Sequence, residues 1–206
     1  MNGAQRGLFV VLDGIDGCGK STQAARLAEA LGPATLHLRE PGSTFLGEAL
    51  RGLLLDPASR IDSGAETLLF AAARRQMLDE VVAPALEAGR DVVCERFNPS
   101  TFAYQAVAGA LDEEAVLDLL AGWCTSPAPD LELLLTLDVD VAFARRGSDR
   151  DRIEQRGRDY QARVAEGYAR YAERLPRARA IPAGAGADEV AAAVRAAVEE
   201  VRRAVR

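Results

Sequence analysis

The stretch FVVLDGIDGCGKST, which begins at Phe9, constrains the fold of this chain more than any other. Its first five residues form a short apolar and β-branched run, which is typical of a buried strand. Gly14 follows, and after four intervening residues come Gly19, Lys20 and Ser21, after which alanine and leucine recur at helical spacing. A glycine-rich turn between a strand and a helix lets successive N–H groups and the positive helix end face a phosphate. The stretch therefore predicts a phosphate-binding loop rather than an ordinary glycine-rich turn.

Nine consecutive residues form the predicted ATP-binding segment: Gly14, Ile15, Asp16, Gly17, Cys18, Gly19, Lys20, Ser21 and Thr22. In such a loop Lys20 would hold the outer phosphates, and the Ser21 hydroxyl would ligate Mg²⁺. Composition supports this, because Lys20 is the only lysine among the 25 lysine and arginine residues. A lysine point charge and an arginine fork are not interchangeable at a phosphate cradle.

Bulk properties argue against several classes of protein. The net charge of −6 disfavours a general nucleic-acid binder or a protein that binds anionic membranes. No apolar run approaches the roughly 20 residues that a membrane helix needs. The first residues, MNGAQRG, contain no apolar signal segment, so we do not expect secretion. Cys18, Cys94 and Cys124 are odd in number and widely spaced, which favours a reducing cytoplasm over a disulfide framework or a metal site.

The single histidine, His37, lies in the alternating run TLHL, which is typical of a strand. We therefore expect a structural role for this ring. A mechanism that depends on a histidine base is disfavoured for the whole chain.

Apolar runs alternate with helical patterns along the chain. After the first run, strands are predicted at residues 35–39, 91–94, 131–137 and 178–181, and the last helix at 187–205. This alternation predicts an α/β fold, a parallel sheet of about five strands with helices on both faces. We expect a single domain over residues 1–206.

Three further patterns allow two interpretations each. Phe70 and Arg74 share a helix face, and their spacing alone favours a core aromatic beside a solvated arginine. Glu95 and Arg96 follow the third predicted strand at its carboxyl end, where open sheets bind ligands, although an ion pair at the rim of the sheet would give the same residue pattern. The charged run at about residues 145–158 is either a solvated face or an arginine-rich lid that closes over phosphates.

Six segments occur in the order found in one known family: GIDGCGKST, REPGSTFLGEALRGLLL, ETLLFAAARRQ, ERFNPSTFAYQ, PDLELLLTLDV and DRIEQRGRDY. With these segments the chain, from Leu8 to Val201, resembles a thymidylate kinase of the P-loop nucleoside monophosphate kinase group. The resemblance implies a P-loop NTPase-type fold, a homodimer, and Mg²⁺-dependent transfer of a phosphoryl group from ATP to dTMP. Nucleic acid and membranes are not expected as partners.

The resemblance also implies the roles of individual residues. The implied substrate-binding residues are Asp16, Glu40, Pro41, Arg51, Phe70, Arg74, Arg96, Ser100, Thr101, Tyr104 and Gln105. Arg51 and Arg96 would hold the acceptor phosphate, Phe70 would stack on thymine, and Arg74 would bond its O4 edge. Tyr104 would crowd out a ribose 2′-hydroxyl. The implied catalytic residues are Lys20, Arg96, Arg146, Arg150 and Arg152, and the implied metal-site residues are Ser21 and Glu95, where the family usually has aspartate at the latter position.

Two other functions remain open at this level. A deoxyribonucleoside kinase would share the architecture and would need a carboxylate base, for which Asp16 or Glu95 could serve, but it would have no acceptor phosphate for Arg51 to hold. A regulatory ATPase acting on a protein partner would hydrolyse ATP without an acceptor. Such a function would not explain the base pocket that the resemblance implies around Phe70 and Arg74.

Overall fold

The computed structural model describes residues 6–145 and 151–205. Five strands in this part of the chain form one sheet: β1 (Phe9–Gly14), β2 (Leu36–Arg39), β3 (Val92–Glu95), β4 (Leu131–Thr136) and β5 (Ala178–Pro182). The strand order is β2-β3-β1-β4-β5, and every pair is parallel. The predicted α/β fold class is therefore confirmed, and each predicted strand is present with small shifts at its ends.

Eight of the described helices lie between strands in the chain, and the ninth follows β5: α1 (Lys20–Leu31), α2 (Phe45–Leu55), α3 (Ser63–Met77), α4 (Ala83–Glu87), α5 (Asn98–Thr101), α6 (Glu113–Trp123), α7 (Val139–Ala144), α8 (Gly157–Arg174) and α9 (Ala187–Val205). A π-helical segment, Leu78–Val82, joins α3 to α4, and a second one, Phe102–Val107, follows α5. A 3₁₀ turn, Glu154–Arg156, precedes α8. None of the helices that the structure describes is long and apolar enough to cross a membrane.

Alternate residues of β1 belong to two different cores. Val10 and Leu12 pack in the larger core, which includes side chains of α1, α8 and α9. Phe9 and Val11 pack in the smaller core, beside the segment that joins α3 to α4. Because successive strand residues point to opposite faces, both faces of the sheet are covered by helices. This explains why the strands read as nearly continuous apolar runs.

Two helices, α2 and α3, begin at side-chain caps formed by threonine and aspartate, which are favoured at this position. The Thr44 hydroxyl accepts from the Gly47 N–H at 2.9 Å at the start of α2. The Asp62 carboxylate accepts from the first N–H groups of α3. These caps satisfy donors that the helix itself leaves unpaired.

Spacing alone predicted a solvated Arg74, and this prediction is wrong, because only 1% of the residue is exposed. Its guanidinium contacts Glu40, Asn98 and Thr101, which lie on other segments and which helical spacing cannot reveal. The rim ion pair considered for residues 95 and 96 is also replaced by other contacts. Arg96 contacts Asp16, while Glu95 contacts side chains of α1 and β2.

Candidate active site

A cavity of about 560 Å³ opens at the carboxyl ends of β1, β2 and β3, where parallel sheets bind ligands. The predicted residues that line it are Asp16, Gly17, Lys20, Ser21, Glu40, Pro41, Arg51, Phe70, Arg74, Glu95, Arg96, Ser100, Thr101, Tyr104 and Gln105. The lining residues that sequence reasoning missed are Arg39, Leu55, Asp151, Ile153 and Glu154. Arg39 could have been found, since it is the last residue of a predicted strand.

The phosphate loop joins β1 to α1 and requires glycine at its centre. Gly17 has a φ of 87°, and a Cβ there would lie 2.2 Å from the Ala142 carbonyl oxygen. Such a contact is not possible, so a side chain at this position would displace the loop or α7. Lys20 is nearly buried, and its Nζ donates to the Ile15 carbonyl at 3.2 Å and lies 3.3 Å from Asp16 Oδ1. The cationic group is thus held at the mouth of the loop.

Asp13, at the end of β1, is fully buried and fastens the loop to the neighbouring elements. Its carboxylate accepts from the backbone N–H groups of Phe97 and Ser100, each at 3.0 Å. The hydroxyl groups of Ser100 and Tyr168 also donate to it, each at 2.7 Å. Sequence reasoning did not single out this residue, although a charged side chain in an otherwise apolar strand was a usable signal.

Besides Arg74, three arginines from three elements line the cavity: Arg39 from β2, Arg51 from α2 and Arg96 after β3. Arg96 has a positive φ of 67°, and its guanidinium contacts Asp16 and donates to Ser100 Oγ at 3.0 Å. Burial by itself lowers the pKa of Arg96, but Asp16 and the other acidic groups nearby raise it well above its usual value. Such a concentration of fixed positive charge suits a phosphate.

Arg74 is held in one orientation by oxygens of three residues, Glu40 after β2 and Asn98 and Thr101 of α5. Its Nε and Nη2 contact Glu40 Oε2 at 2.7 and 2.6 Å, and its Nη1 donates to Asn98 Oδ1 at 2.9 Å and to Thr101 Oγ1 at 3.0 Å. A guanidinium has five N–H groups, and these contacts account for four. Burial raises the pKa of Glu40 to about 7, although the Arg74 charge acts in the opposite direction.

Tyr104 forms the wall between the phosphate loop and the pocket around Arg74. Its hydroxyl donates to Asp16 Oδ2 at 2.9 Å, and the Arg96 guanidinium lies 5.2 Å from its ring centroid. Burial and the neighbouring Asp16 charge raise the pKa of Tyr104 well above its usual value, so the phenol stays protonated. Phe70 is half-buried and faces the same cavity, where a flat ring could stack on a base.

The lid arginines divide into two groups. Arg146 and Arg150 lie outside the described residues. Arg152 is described and does not line the cavity, because its guanidinium contacts Glu66 Oε2 at 2.5 Å and donates to the Leu54 carbonyl at 2.8 Å. Glu66, which sequence reasoning also missed, is fully buried and binds Arg156 as well, at 2.6 Å.

A hydroxyl and a carboxylate meet beside the phosphate loop. Ser21 Oγ donates to Glu95 Oε2, and the other carboxylate oxygen lies 2.8 Å from His37 Nε2. In the part of the chain that the structure describes there is no cluster of three or more His, Cys, Asp or Glu residues that could hold a metal. Mg²⁺ at a nucleotide site takes one or two protein oxygens and completes its shell with water and phosphate. Ser21 and Glu95 fit that requirement.

Comparison with known proteins agrees with this geometry. The family model described as thymidylate kinase matches residues 12–194. The chain is 40% identical to the thymidylate kinase of Symbiobacterium thermophilum over 200 residues, which cover 94% of each protein, and 43% identical to that of Synechococcus sp. (strain WH7803) over 94% and 96%. A crystal structure of thymidylate kinase from Ehrlichia chaffeensis superposes with a TM-score of 0.76 and 28% identity, covering 94% of this chain and 99% of that one. The chain belongs to the thymidylate kinase family.

Proposed function

We propose that this kinase transfers the γ-phosphoryl group of ATP to dTMP and so forms ADP and dTDP. One observation carries the proposal: a single cavity joins the phosphate loop to a pocket that contains both the Arg51–Arg96 pair and the fixed Arg74 guanidinium. The loop accounts for the donor, the two arginines for an acceptor that already carries a phosphate, and Arg74 for a base. A nucleoside acceptor would leave Arg51 and Arg96 without a ligand.

The contacts of Arg74 support an acceptor whose base is a pyrimidine with an oxygen at position 4. Four of its N–H groups are directed at Glu40, Asn98 and Thr101, and we assign the fifth, on Nη2, to the O4 of thymine. Cytosine presents an amino group at the same position, so two donors would then face each other and the buried arginine would lose a partner. Discrimination against cytosine is expected to be strong, because binding it would leave a buried donor unpaired. Phe70 would stack on the base.

The proposed chemistry needs positioning rather than a general base. The second pKa of a phosphate monoester is about 6, so the acceptor oxygen is already largely ionised at neutral pH. Arg96, held by Ser100 and by its backbone conformation, would fix the acceptor phosphate in line with the donor. Lys20 would leave its carbonyl contact at Ile15 and neutralise the outer phosphates. Tyr104 would occupy the space that a ribose 2′-hydroxyl needs.

We further propose that Ser21 and Glu95 hold Mg²⁺, which would neutralise charge on the β- and γ-phosphates. The donor set beside the loop supports this assignment. Arg146, Arg150 and Arg152 are the proposed lid arginines, within a single domain whose lid covers about residues 145–158. For Arg152 this role requires it to exchange the Glu66 carboxylate for a phosphate as the lid closes.

A homodimer and a cytoplasmic location also belong to this proposal. Leu53, Leu68 and Trp123 are exposed on α2, α3 and α6, and α3 packs against both of the other helices. This apolar surface is where we place the contact between two copies. We expect Leu68→Glu to convert the dimer to a monomer in sedimentation velocity. Three buried free thiols, Cys18, Cys94 and Cys124, support a reducing compartment.

The proposed reaction is tested by ADP release with Mg-ATP and a panel of acceptors: dTMP, dUMP, dCMP, AMP and thymidine. We expect fast turnover with dTMP, weaker turnover with dUMP and little with dCMP. Preference for thymidine would instead indicate a nucleoside kinase, with Asp16 or Glu95 as the base. Hydrolysis that does not depend on an acceptor would indicate a regulatory ATPase.

A further inference from the structure

His37 lies beside the proposed metal site, on the edge strand of the sheet. In the register of β2 and β3, His37 is paired with Val93 and Arg39 with Glu95. The His37 ring reaches along the strand, and its Nε2 lies 2.8 Å from Glu95 Oε1. The contact is partly shielded from water, because 33% of the His37 side chain and 16% of the Glu95 side chain are exposed.

The Glu95 carboxylate is thus bound at both oxygens, by groups from two different elements. Ser21 of α1 donates to Oε2, and the imidazole of β2 holds Oε1. A glutamate has three side-chain torsions, and fixing such a side chain costs conformational entropy. With only the Ser21 contact, the carboxylate could rotate about its last bonds, so the second contact selects one orientation.

We propose that His37 is a positioning residue, which holds the Glu95 carboxylate in the orientation that the nucleotide-bound Mg²⁺ needs. The inference rests on the proposed function, because it assumes that Ser21 and Glu95 form the metal site. The bond from Ser21 to Glu95 leaves the lone pairs of the hydroxyl oxygen available for a cation, and His37 keeps the acceptor of that bond in place. Removing a side chain that hydrogen-bonds to a metal ligand typically lowers metal affinity by about 10- to 100-fold.

The first test compares the Kd of ADP with Mg²⁺ and with EDTA, measured by titration calorimetry. His37→Phe keeps a ring of similar size and removes the hydrogen bond, and we expect it to reduce the Mg²⁺-dependent gain in affinity about tenfold while the Kd in EDTA stays unchanged. His37→Gln is the matched variant, because its side-chain amide can donate to the carboxylate, and we expect it to retain most of the gain. An unchanged gain in His37→Phe overturns the inference, as does an equal loss in both variants.

Glu95→Gln separates this inference from the proposed function. If this variant keeps the full Mg²⁺-dependent gain, then the metal site itself is wrong, and the role of His37 fails with it. If Glu95→Gln loses the gain and His37→Phe does not, the metal site stands and only the role of His37 is refuted.

The second test uses the fact that His37 is the only histidine in the chain, so its imidazole signals in a ¹⁵N NMR spectrum need no assignment. We expect these signals to shift when ADP is added with Mg²⁺, and to shift much less when ADP is added with EDTA or when Mg-ADP is added to Glu95→Gln. Signals that move equally in all three experiments would report on nucleotide binding alone and would overturn the inference.

Discussion

Glu66 is a buried carboxylate that connects Arg152 and Arg156 of the proposed lid to the cavity residue Gln105, and its replacement by glutamine is a sharp test of the structure. None of its surface is exposed. Oε2 accepts from Arg152 and Arg156, at 2.5 and 2.6 Å, and Oε1 accepts from Gln105 Nε2 at 2.7 Å. One residue in the first turn of α3 therefore holds two arginines of the proposed lid and one residue that lines the cavity.

The expected loss of stability follows from the partly buried arginines that Glu66→Gln leaves without this negative partner. The variant keeps the size of the side chain, but it removes the negative charge and places an amide donor against guanidinium donors or against Gln105. Removing one partner of a buried ion pair costs about 3–5 kcal/mol. The Arg156 side chain is 23% exposed and can recover part of its hydration, whereas that of Arg152 is only 10% exposed. We expect the free energy of unfolding to fall by about 3 kcal/mol.

The assay is urea unfolding followed by far-UV circular dichroism. With a slope of about 2 kcal/mol per molar urea, the midpoint should fall by more than about 1 M. Glu114→Gln is the matched control, since the same substitution there breaks an exposed pair with Arg174, and such pairs contribute little. A Glu66→Gln midpoint equal to that of the control would refute the view that this carboxylate anchors Arg152 and Arg156.

Three further predictions concern the loop, the base pocket and the acceptor phosphate. Gly17→Ala should abolish measurable ATP binding in calorimetry, because its Cβ would lie 2.2 Å from the Ala142 oxygen; binding at wild-type affinity would contradict the loop geometry. Burial raises the pKa of Glu40 from 4.5 to about 7. The proton on Glu40 therefore stabilises the folded state fully below pH 4.5, and this stabilisation of about 3 kcal/mol is lost as the pH rises to 7. Glu40→Gln should flatten that part of the pH profile of unfolding, and an unchanged profile would argue against the shift. Arg96→Ala should lower kcat/KM for dTMP by about 10³-fold or more, by analogy with arginines that stabilise a transferring phosphoryl group, and a loss below tenfold would exclude its placement at the acceptor phosphate.

Local sequence patterns were sufficient to predict the features that depend on a single helix, strand or turn. The phosphate loop, the five strands and the caps at Thr44 and Asp62 follow from residues that are neighbours in the chain. The end of β3 was predicted one residue too early, because Glu95 is polar yet continues the ladder beside Arg39. Most predicted site residues do line one cavity, since the carboxyl ends of parallel strands lie at one edge of the sheet.

The sequence by itself determined the class of fold and the place of the phosphate loop, because strand periodicity, glycine and capping act over a few residues. The tertiary structure alone decided the partners of the polar side chains. Arg74 is 34 residues from Glu40, Arg156 is 90 from Glu66, and His37 is 58 from Glu95. Spacing within a helix reports which face a residue occupies, whereas the packing of separate elements decides whether that face meets water or a carboxylate. For this reason helical spacing alone favoured a solvated Arg74, whereas the side chain is buried in the core of the site.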